Sequence, residues 1–311
     1  PLRLVGSEMC IRDSILTRHE VTDATANLEG WSVAVKGHLT GIRRTLTCKV
    51  LVNAAGPWVS QLHDKIARSV EAHQLKLVKG SHLVLPKLSE QNRAFLLQHG
   101  DGRVVFVIPY LNDFSLVGTT EEEYSGDLNA PQISEAEVSY LLKIVNRYFN
   151  VAVSNEQIVG AFSGIRPLIE SEGEQATRLS RDYRMQLHRL PAPMLSVYGG
   201  KVTTYRLLAE QVLERLRDFF PVMTGSWTES AILPGGDFET RDKLQQQLVG
   251  RYPWLRLDLI NRWLTGYGTC AAEIVGAARS MGDLGVCFGA NLFQLEVDYL
   301  CSREWAITAE D

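Results

Sequence analysis

The chain has 311 residues, enough for two or three domains and a large buried core. Its 45% hydrophobic and 22% charged residues are ordinary for a globular protein, and a net charge of −4 gives no electrostatic reason to expect nucleic acid as a partner. Apolar runs such as Val104–Tyr110 fall far short of the roughly 20 residues that span a bilayer. Cys10, Cys48, Cys270, Cys287 and Cys301 are scattered, without CxxC or ligand spacing. They read as reduced structural residues of a cytosolic-side protein, and no metal site is expected.

Residues 1–14 (PLRLVGSEMCIRDS) show neither helical period nor alternation and are expected to be non-native or unstructured. The first methionine is Met9, which suggests a piece of a longer product, and no signal peptide is evident. Ile15–Ala24 alternates as a strand, and Trp31–Gly37 as a second. Ile42–Ala55 follows, and its Val50, Leu51 and Val52 are apolar on both sides, as in a buried parallel strand. That strand runs into Asn53-Ala54-Ala55-Gly56-Pro57-Trp58. Pro57 suits the first turn of a helix whose inner face is Trp58, Val59, Leu62 and Ile66. Carboxyl ends of such strands are where α/β folds bind cofactors, though the same residues also suit a plain tight connection.

A β-rich block comes next. Lys79–Pro86 (KGSHLVLP) alternates, with His82 and Val84 on one side and Ser81, Leu83 and Leu85 on the other. Arg103–Tyr110 and Phe114–Gly118 form a hairpin around Leu111-Asn112-Asp113. Glu121–Glu123 reads as a solvated acidic run. Ile133–Phe149 is a helix, opened by a Ser134–Glu137 capping box and striped by Val138, Leu141, Leu142, Val145 and Phe149. In Ile158–Leu168 (IVGAFSGIRPL), Pro167 pushes Arg166 to extended geometry, so its side chain projects from a constrained backbone. The bland alternative is a surface arginine paired with Glu170 or Glu172. A further short strand is expected at Arg181–His188.

Ser196–Leu216 begins as a short buried strand, SVYGG with Leu195 before it, and ends as a helix striped by Tyr205, Leu208, Ala209, Val212, Leu213 and Leu216, with Phe219 and Phe220 beyond it. The GGKVTT between them allows close backbone approach and offers the free N–H groups of a helix start to an electron-rich group. A tight turn with a solvated lysine is the alternative. Residues 222–238 are rich in Gly, Pro, Ser and Thr and read as a linker, and from Thr240 onward only short helices are expected.

NAAGPW, KGSHLVLP, RVVFVIPY with Gly118–Thr120, SGIRPL and YGGKVTTYR, in this order and spacing, resemble the FAD-dependent sn-glycerol-3-phosphate dehydrogenases. These are respiratory, quinone-linked members of the D-amino-acid-oxidase-like (DAO) flavoproteins. The resemblance runs from about Ile15 to Asp311 and implies an α/β fold with an α+β insert. It assigns 15–75 and 178–225 to an incomplete, Rossmann-like FAD-binding domain and 76–177 to an inserted substrate-binding sheet and helix. A linker (226–239) and a C-terminal helical domain (240–311) complete the expected arrangement. The family's strand–GxGxxG–helix unit for the FAD pyrophosphate is not in this sequence, and GGKVTT lacks the third glycine and acidic partner needed to replace it.

The implied reaction oxidises C2 of glycerol 3-phosphate, giving dihydroxyacetone phosphate, with a hydride going to flavin N5 and electrons passing to quinone. Arg166 and Lys201 would bind the substrate phosphate, a fork and a compact charge against a dianion. His82, the only histidine inside a resembling motif, would bind substrate and accept the hydroxyl proton, unless it is simply a hydrogen-bonded histidine on a sheet. Ala54, Ala55 and Gly56, with Gly199, Gly200, Lys201, Val202 and Thr203, would lie along the FAD, the latter turn aiming N–H groups at its electron-rich edge. The resemblance also implies peripheral association with the cytoplasmic face of the membrane and allows a homodimer. The competing readings are a related flavin oxidase of an amino acid or 2-hydroxy acid, and a catalytically inactive, cofactor-free fragment.

Overall fold

The computed structural model describes residues 14–66, 73–169, 182–309 and 311. They form two compact units, Glu20–Met223 and Thr224–Asp311 with the described residues before Glu20. In chain order the larger unit contains β1 (His19–Asn27), β2 (Gly30–Gly37), β3 (Arg43–Cys48), β4 (Leu51–Asn53) and α1 (Val59–Ile66). Then come β5 (Leu75–Pro86), β6 (Phe95–Gln98), β7 (Val104–Tyr110), β8 (Phe114–Gly118), β9 (Glu122–Glu123) and α2 (Glu135–Tyr148). It finishes with β10 (Gly160–Ile169), β11 (Tyr183–His188), β12 (Met194–Gly199) and α3 (Tyr205–Leu216).

The first sheet is β1-β2-β3. Its Ala24, Trp31, Val33 and Val35 pack with Ala192 and Met194, and the Trp31 indole N–H donates to the Pro193 carbonyl at 2.8 Å. The first strand starts later than the alternation at Ile15 predicts: Ile15 and Leu16 are exposed, and Arg18 turns the chain with φ of 56°.

The second sheet, β11-β12-β4, is organised by β12, whose Met194–Tyr198 are all buried. Alternation sends Leu195 and Val197 toward Leu216, Leu208 and Val212 of α3, and Met194 and Tyr198 toward the opposite side. β4 runs parallel to β12, with Leu51 opposite Met194 and Asn53 opposite Ser196. β4 lies at the end of this sheet, so Val52 is 40% exposed rather than covered on both faces as its apolar context predicts. Tyr205 and Leu213 are likewise exposed, because α3 packs along one side only.

The third sheet has the order β10-β5-β8-β7-β6, with β9 also pairing β5, and every recorded pairing is antiparallel. One face packs on α2, where Leu141, Ile144 and Val145 meet Leu83, Leu85, Val107 and Val117. The capping box forms as the sequence predicts: Ser134 Oγ accepts from the Glu137 N–H at 3.2 Å, and Glu137 Oε2 accepts from the Ser134 N–H at 2.8 Å. The acidic run is not merely solvated. Glu122 and Glu123 pair with β5, where Glu123 meets Lys76 at 3.0 Å and Glu122 meets Lys79 at 3.6 Å.

The second unit contains α4 (Arg241–Arg251), α5 (Leu257–Tyr267), α6 (Ala271–Val275) and α7 (Gln294–Arg303). Its core gathers Leu244, Leu248, Leu259, Ile260, Trp263, Ile274 and Leu284. An isolated bridge, Cys287 to Phe293, adds a β contact the helical reading does not anticipate. No helix among the described residues is long and apolar enough to cross a membrane. Cys48, Cys270, Cys287 and Cys301 are free thiols, and Cys10 lies outside the described residues, as do Glu170 and Glu172.

Candidate active site

The face of the third sheet turned away from α2 carries the candidate chemistry. The pleat of β5 puts Ser81, Leu83 and Leu85 into the α2 core and leaves His82 half-buried on the opposite face. In register, His82 stands opposite Phe162 on β10 and Gly118 on β8, while Arg166 stands opposite Val78. The His82 and Phe162 rings stack, with centroids 5.0 Å apart and planes 11° from parallel.

Two glycines make room for the two polar side chains. A Cβ on Gly118 would lie 2.2 Å from Cδ2 of His82, so the imidazole rests on bare backbone. A Cβ on Gly80 would lie 2.6 Å from Nη1 of Arg166 and 2.6 Å from Oγ1 of Thr119. The guanidinium therefore crosses over Gly80, and its Nη2 donates to Thr119 Oγ1 at 3.2 Å. Burial, and then the Arg166 charge, hold the His82 imidazole below its ordinary pKa. A histidine held down in this way is neutral near pH 7 and can take up a proton.

The second group of candidate residues sits at one end of the parallel pair. β4 and β12 both end there, β4 in the turn at Ala54, Ala55 and Gly56, β12 in Gly199, Gly200 and Lys201. Gly56, Gly199 and Gly200 have φ of 56°, 72° and 100°, values that side chains rarely tolerate. A Cβ on Gly56 would meet nothing within 4 Å. The buried Asn53 shapes the first turn: its amide donates to the Val59 carbonyl at 2.9 Å and its oxygen accepts from the Ala55 N–H at 3.3 Å. The second turn passes through a short 3-10 segment, Val202–Thr204, before α3 begins, so the α-helix starts later than the sequence suggests. Lys201, Val202 and Thr203 are exposed. Small residues at the carboxyl ends of two parallel strands, with open space at Gly56, fit a flat group laid across them.

The two groups of residues adjoin through backbone. A Cβ on Gly199 would stand 3.4 Å from the Pro167 carbonyl oxygen, one residue beyond Arg166. Ile169, Tyr198 and Val59 share a buried cluster at the same junction. His82 and Arg166 are thus neighbours on one face, and Lys201 stands exposed on the adjoining turn. Sequence reasoning does not single out Gly80, Thr119 or Asn53. Gly80 and Thr119 do lie inside the KGSH and GTT stretches already quoted, and their role depends on strands distant in sequence.

The model of the family described as FAD dependent oxidoreductase (DAO) matches residues 14–205. The aerobic glycerol-3-phosphate dehydrogenase of Escherichia coli K12 is 38% identical over the whole chain, which covers 63% of that protein. The glycerol-3-phosphate dehydrogenase of Pseudomonas aeruginosa is 42% identical over 86% of the chain and 53% of its own length. D-erythritol 1-phosphate dehydrogenase of Brucella abortus is 39% identical over 96% of the chain and 60% of its own length. The chain therefore spans less than two thirds of each of these relatives. The solved glycerol-3-phosphate dehydrogenase from Bacillus halodurans, complexed with FAD, superposes with a TM-score of 0.72 at 26% identity, covering 85% of this chain and 52% of that one. Matched across most of its larger unit, and with glycine-lined strand ends that suit a flat cofactor, the chain belongs to the FAD dependent oxidoreductase (DAO) family.

Proposed function

We propose that the protein oxidises sn-glycerol 3-phosphate to dihydroxyacetone phosphate with FAD. The observation that carries this reading is the juxtaposition of His82 and Arg166 over Gly118 and Gly80, in a chain whose curated relatives include glycerol-3-phosphate dehydrogenases at 38% and 42% identity. Arg166 presents a planar fork to the phosphate dianion, and Lys201 adds a mobile charge from the neighbouring turn. His82, neutral and within the field of Arg166, accepts the proton of the C2 hydroxyl. Ala54, Ala55, Gly56, Gly199, Gly200, Lys201, Val202 and Thr203 hold the FAD by close backbone approach. When bound, FAD supplies the two-electron acceptor for the C2 hydride. The Phe162 ring stacks on the imidazole and covers one side of it.

A quinone as final electron acceptor, peripheral attachment to the cytoplasmic face of the membrane and a homodimer belong to the same proposal and rest on the motif resemblance. D-erythritol 1-phosphate is the second substrate to consider, because the dehydrogenase named for it is 39% identical. Both substrates share the phosphate that Arg166 would hold. The test is anaerobic bleaching of the flavin band in the FAD-loaded protein. Bleaching by glycerol 3-phosphate supports the reading. Bleaching only by D-erythritol 1-phosphate moves it to the longer polyol, and bleaching only by an amino acid or 2-hydroxy acid overturns it.

A further inference from the structure

Lys79 and Ser81, on the α2 side of β5, both reach Glu137. The Glu137 side chain is 1% exposed and carries a full set of donors. Oε1 accepts from Ser81 Oγ at 2.8 Å and from Thr120 Oγ1 at 2.5 Å. Oε2 accepts from the Ser134 N–H at 2.8 Å and from the Lys79 ammonium at 2.9 Å. Burial pushes this carboxyl up, but the Ser134 N–H, Thr120, Lys79 and Ser81 outweigh it and hold it at about 2, so it is a carboxylate throughout the neutral range. Capping α2 uses only the Ser134 contacts. The remaining donors come from the strand and turn that carry the candidate site.

Thr120 is the link. Its Oγ1 also accepts from the Ser81 N–H at 2.9 Å, and its own N–H donates to the Ser81 carbonyl at 3.3 Å. Ser81 Oγ in turn lies 2.7 Å from Ser163 Oγ on β10, so the network reaches the SGIRPL strand as well. Thr119, the residue before Thr120, accepts from Arg166, and Gly118, before that, lies beneath His82. Gly118-Thr119-Thr120 therefore supplies, in succession, a floor for the imidazole, an acceptor for the guanidinium and a hook into the core.

We propose that Glu137 is a positioning residue for the anion site: by anchoring Thr120 it fixes Thr119 Oγ1, which holds the Arg166 guanidinium over Gly80. This rests on the reading of Arg166 as the group that binds the substrate phosphate. An arginine that loses one of the contacts holding it binds an anion more weakly, because ordering its side chain then opposes binding. The loss should appear in anion affinity more than in the chemical step.

The test uses Glu137→Gln, Thr119→Val and the double variant in the FAD-loaded protein. Three quantities are read: KM and kcat for glycerol 3-phosphate, the affinity for inorganic phosphate by calorimetry without turnover, and the melting temperature. Glu137→Gln is expected to raise KM and the phosphate Kd on the order of 10-fold with a much smaller change in kcat. Thr119→Val should do the same with little change in melting temperature, and the double variant should be no worse than the weaker single one, as for two members of one chain of contacts. A Glu137→Gln protein that melts earlier but keeps its phosphate Kd and KM overturns the proposal, as do independent effects that multiply. If Glu137→Gln does not fold, Thr120→Val cuts the same link while leaving the Lys79–Glu137 pair, and the same outcomes decide. A wild-type protein that binds phosphate but ignores glycerol 3-phosphate defeats the functional reading alone, and the phosphate titrations still decide this one. A wild-type protein that does not bind phosphate overturns both.

Discussion

Among the described residues two carboxylates are buried, one in each unit, and they are satisfied in the same way. Glu137 takes four donors from β5, the 118–120 turn and its own helix start. Glu296 on α7 takes Arg262 Nη1 at 2.7 Å, the Tyr267 hydroxyl at 2.8 Å and the Trp263 indole N–H at 2.8 Å, with Arg262 Nη2 completing the pair. Burial pushes both carboxyls up, and the donors bring both below the ordinary value. The difference lies one step further out. From Glu296 the contacts pass through Arg262 to the Asn291 carbonyl and end in the helical unit's own backbone. From Glu137 they pass through Thr120 to the residue that holds Arg166. Burial and a depressed pKa are therefore common to both sites. The direction in which the donors lead separates a group that holds a core together from one that bears on a candidate site.

The comparison can be broken most sharply at Arg166. Arg166→Met is expected to lower kcat/KM for glycerol 3-phosphate by roughly 100-fold or more, the cost of losing charge-assisted contacts to a phosphate. It should also raise the pKa of His82, since burial still lowers it but the Arg166 charge no longer adds to that, and so move the acid limb of the kcat/KM profile to higher pH. An unmoved acid limb would detach His82 from the chemistry.

Glu296→Ala takes the acceptor away from the buried Trp263 indole N–H and the Tyr267 hydroxyl and should destabilise the helical unit by about 2–3 kcal/mol. Denaturant unfolding measures the loss, and the phosphate Kd should not change. A changed phosphate Kd would erase the contrast between the two carboxylates.

Gly80→Ala should do the reverse. The added methyl would meet side-chain atoms of Arg166 and Thr119, not backbone, so the guanidinium must move off Gly80 and the Thr119 hydroxyl must turn while the fold persists. The expected result is a KM raised on the order of 10-fold with the melting temperature nearly constant. A large drop in melting temperature with an unchanged KM would mean that Gly80 serves packing only.

The smallest effect concerns acid. The Glu137 carboxyl is held at about 2, against about 4.5 in an unfolded chain. A depressed folded value contributes stability that is complete above pH of about 4.5 and is lost as pH falls toward 2. Denaturant midpoints across that window should fall less steeply for Glu137→Gln than for the wild type.

Much of this was legible in the sequence, and the limits have physical causes. Alternation in KGSHLVLP assigned His82 and Ser81 to opposite faces, because a strand has a side-chain period of two wherever it lies. It could not say which strands flank β5, so the meeting of His82 with Gly118 and of Arg166 with Gly80 stayed hidden. Ser134 and Glu137 spell a capping box, a local pattern that is present. The same glutamate's bonds to Ser81 and Thr120 are long-range and leave no periodic trace. Val50–Val52 read as covered on both faces because apolarity does not report whether a neighbouring strand exists. The β6 strand leaves little trace in the sequence because Phe95–Gln98 is only four residues long, with two of them exposed.

The carbonyl of Pro167 against Gly199 has a consequence for motion. Arg166 and the Gly199–Gly200 turn are joined through rigid backbone at that contact and through the buried trio of Val59, Ile169 and Tyr198. Local opening that frees the arginine's strand should also uncover Tyr198, so the Arg166 end of β10 and the glycine turn should exchange their amide hydrogens as one cooperative block. The strands farthest from β10 in the third sheet, β7 and β6, stand outside that block. Substrate entry from that side would leave the distance between Arg166 and the glycine turn undisturbed.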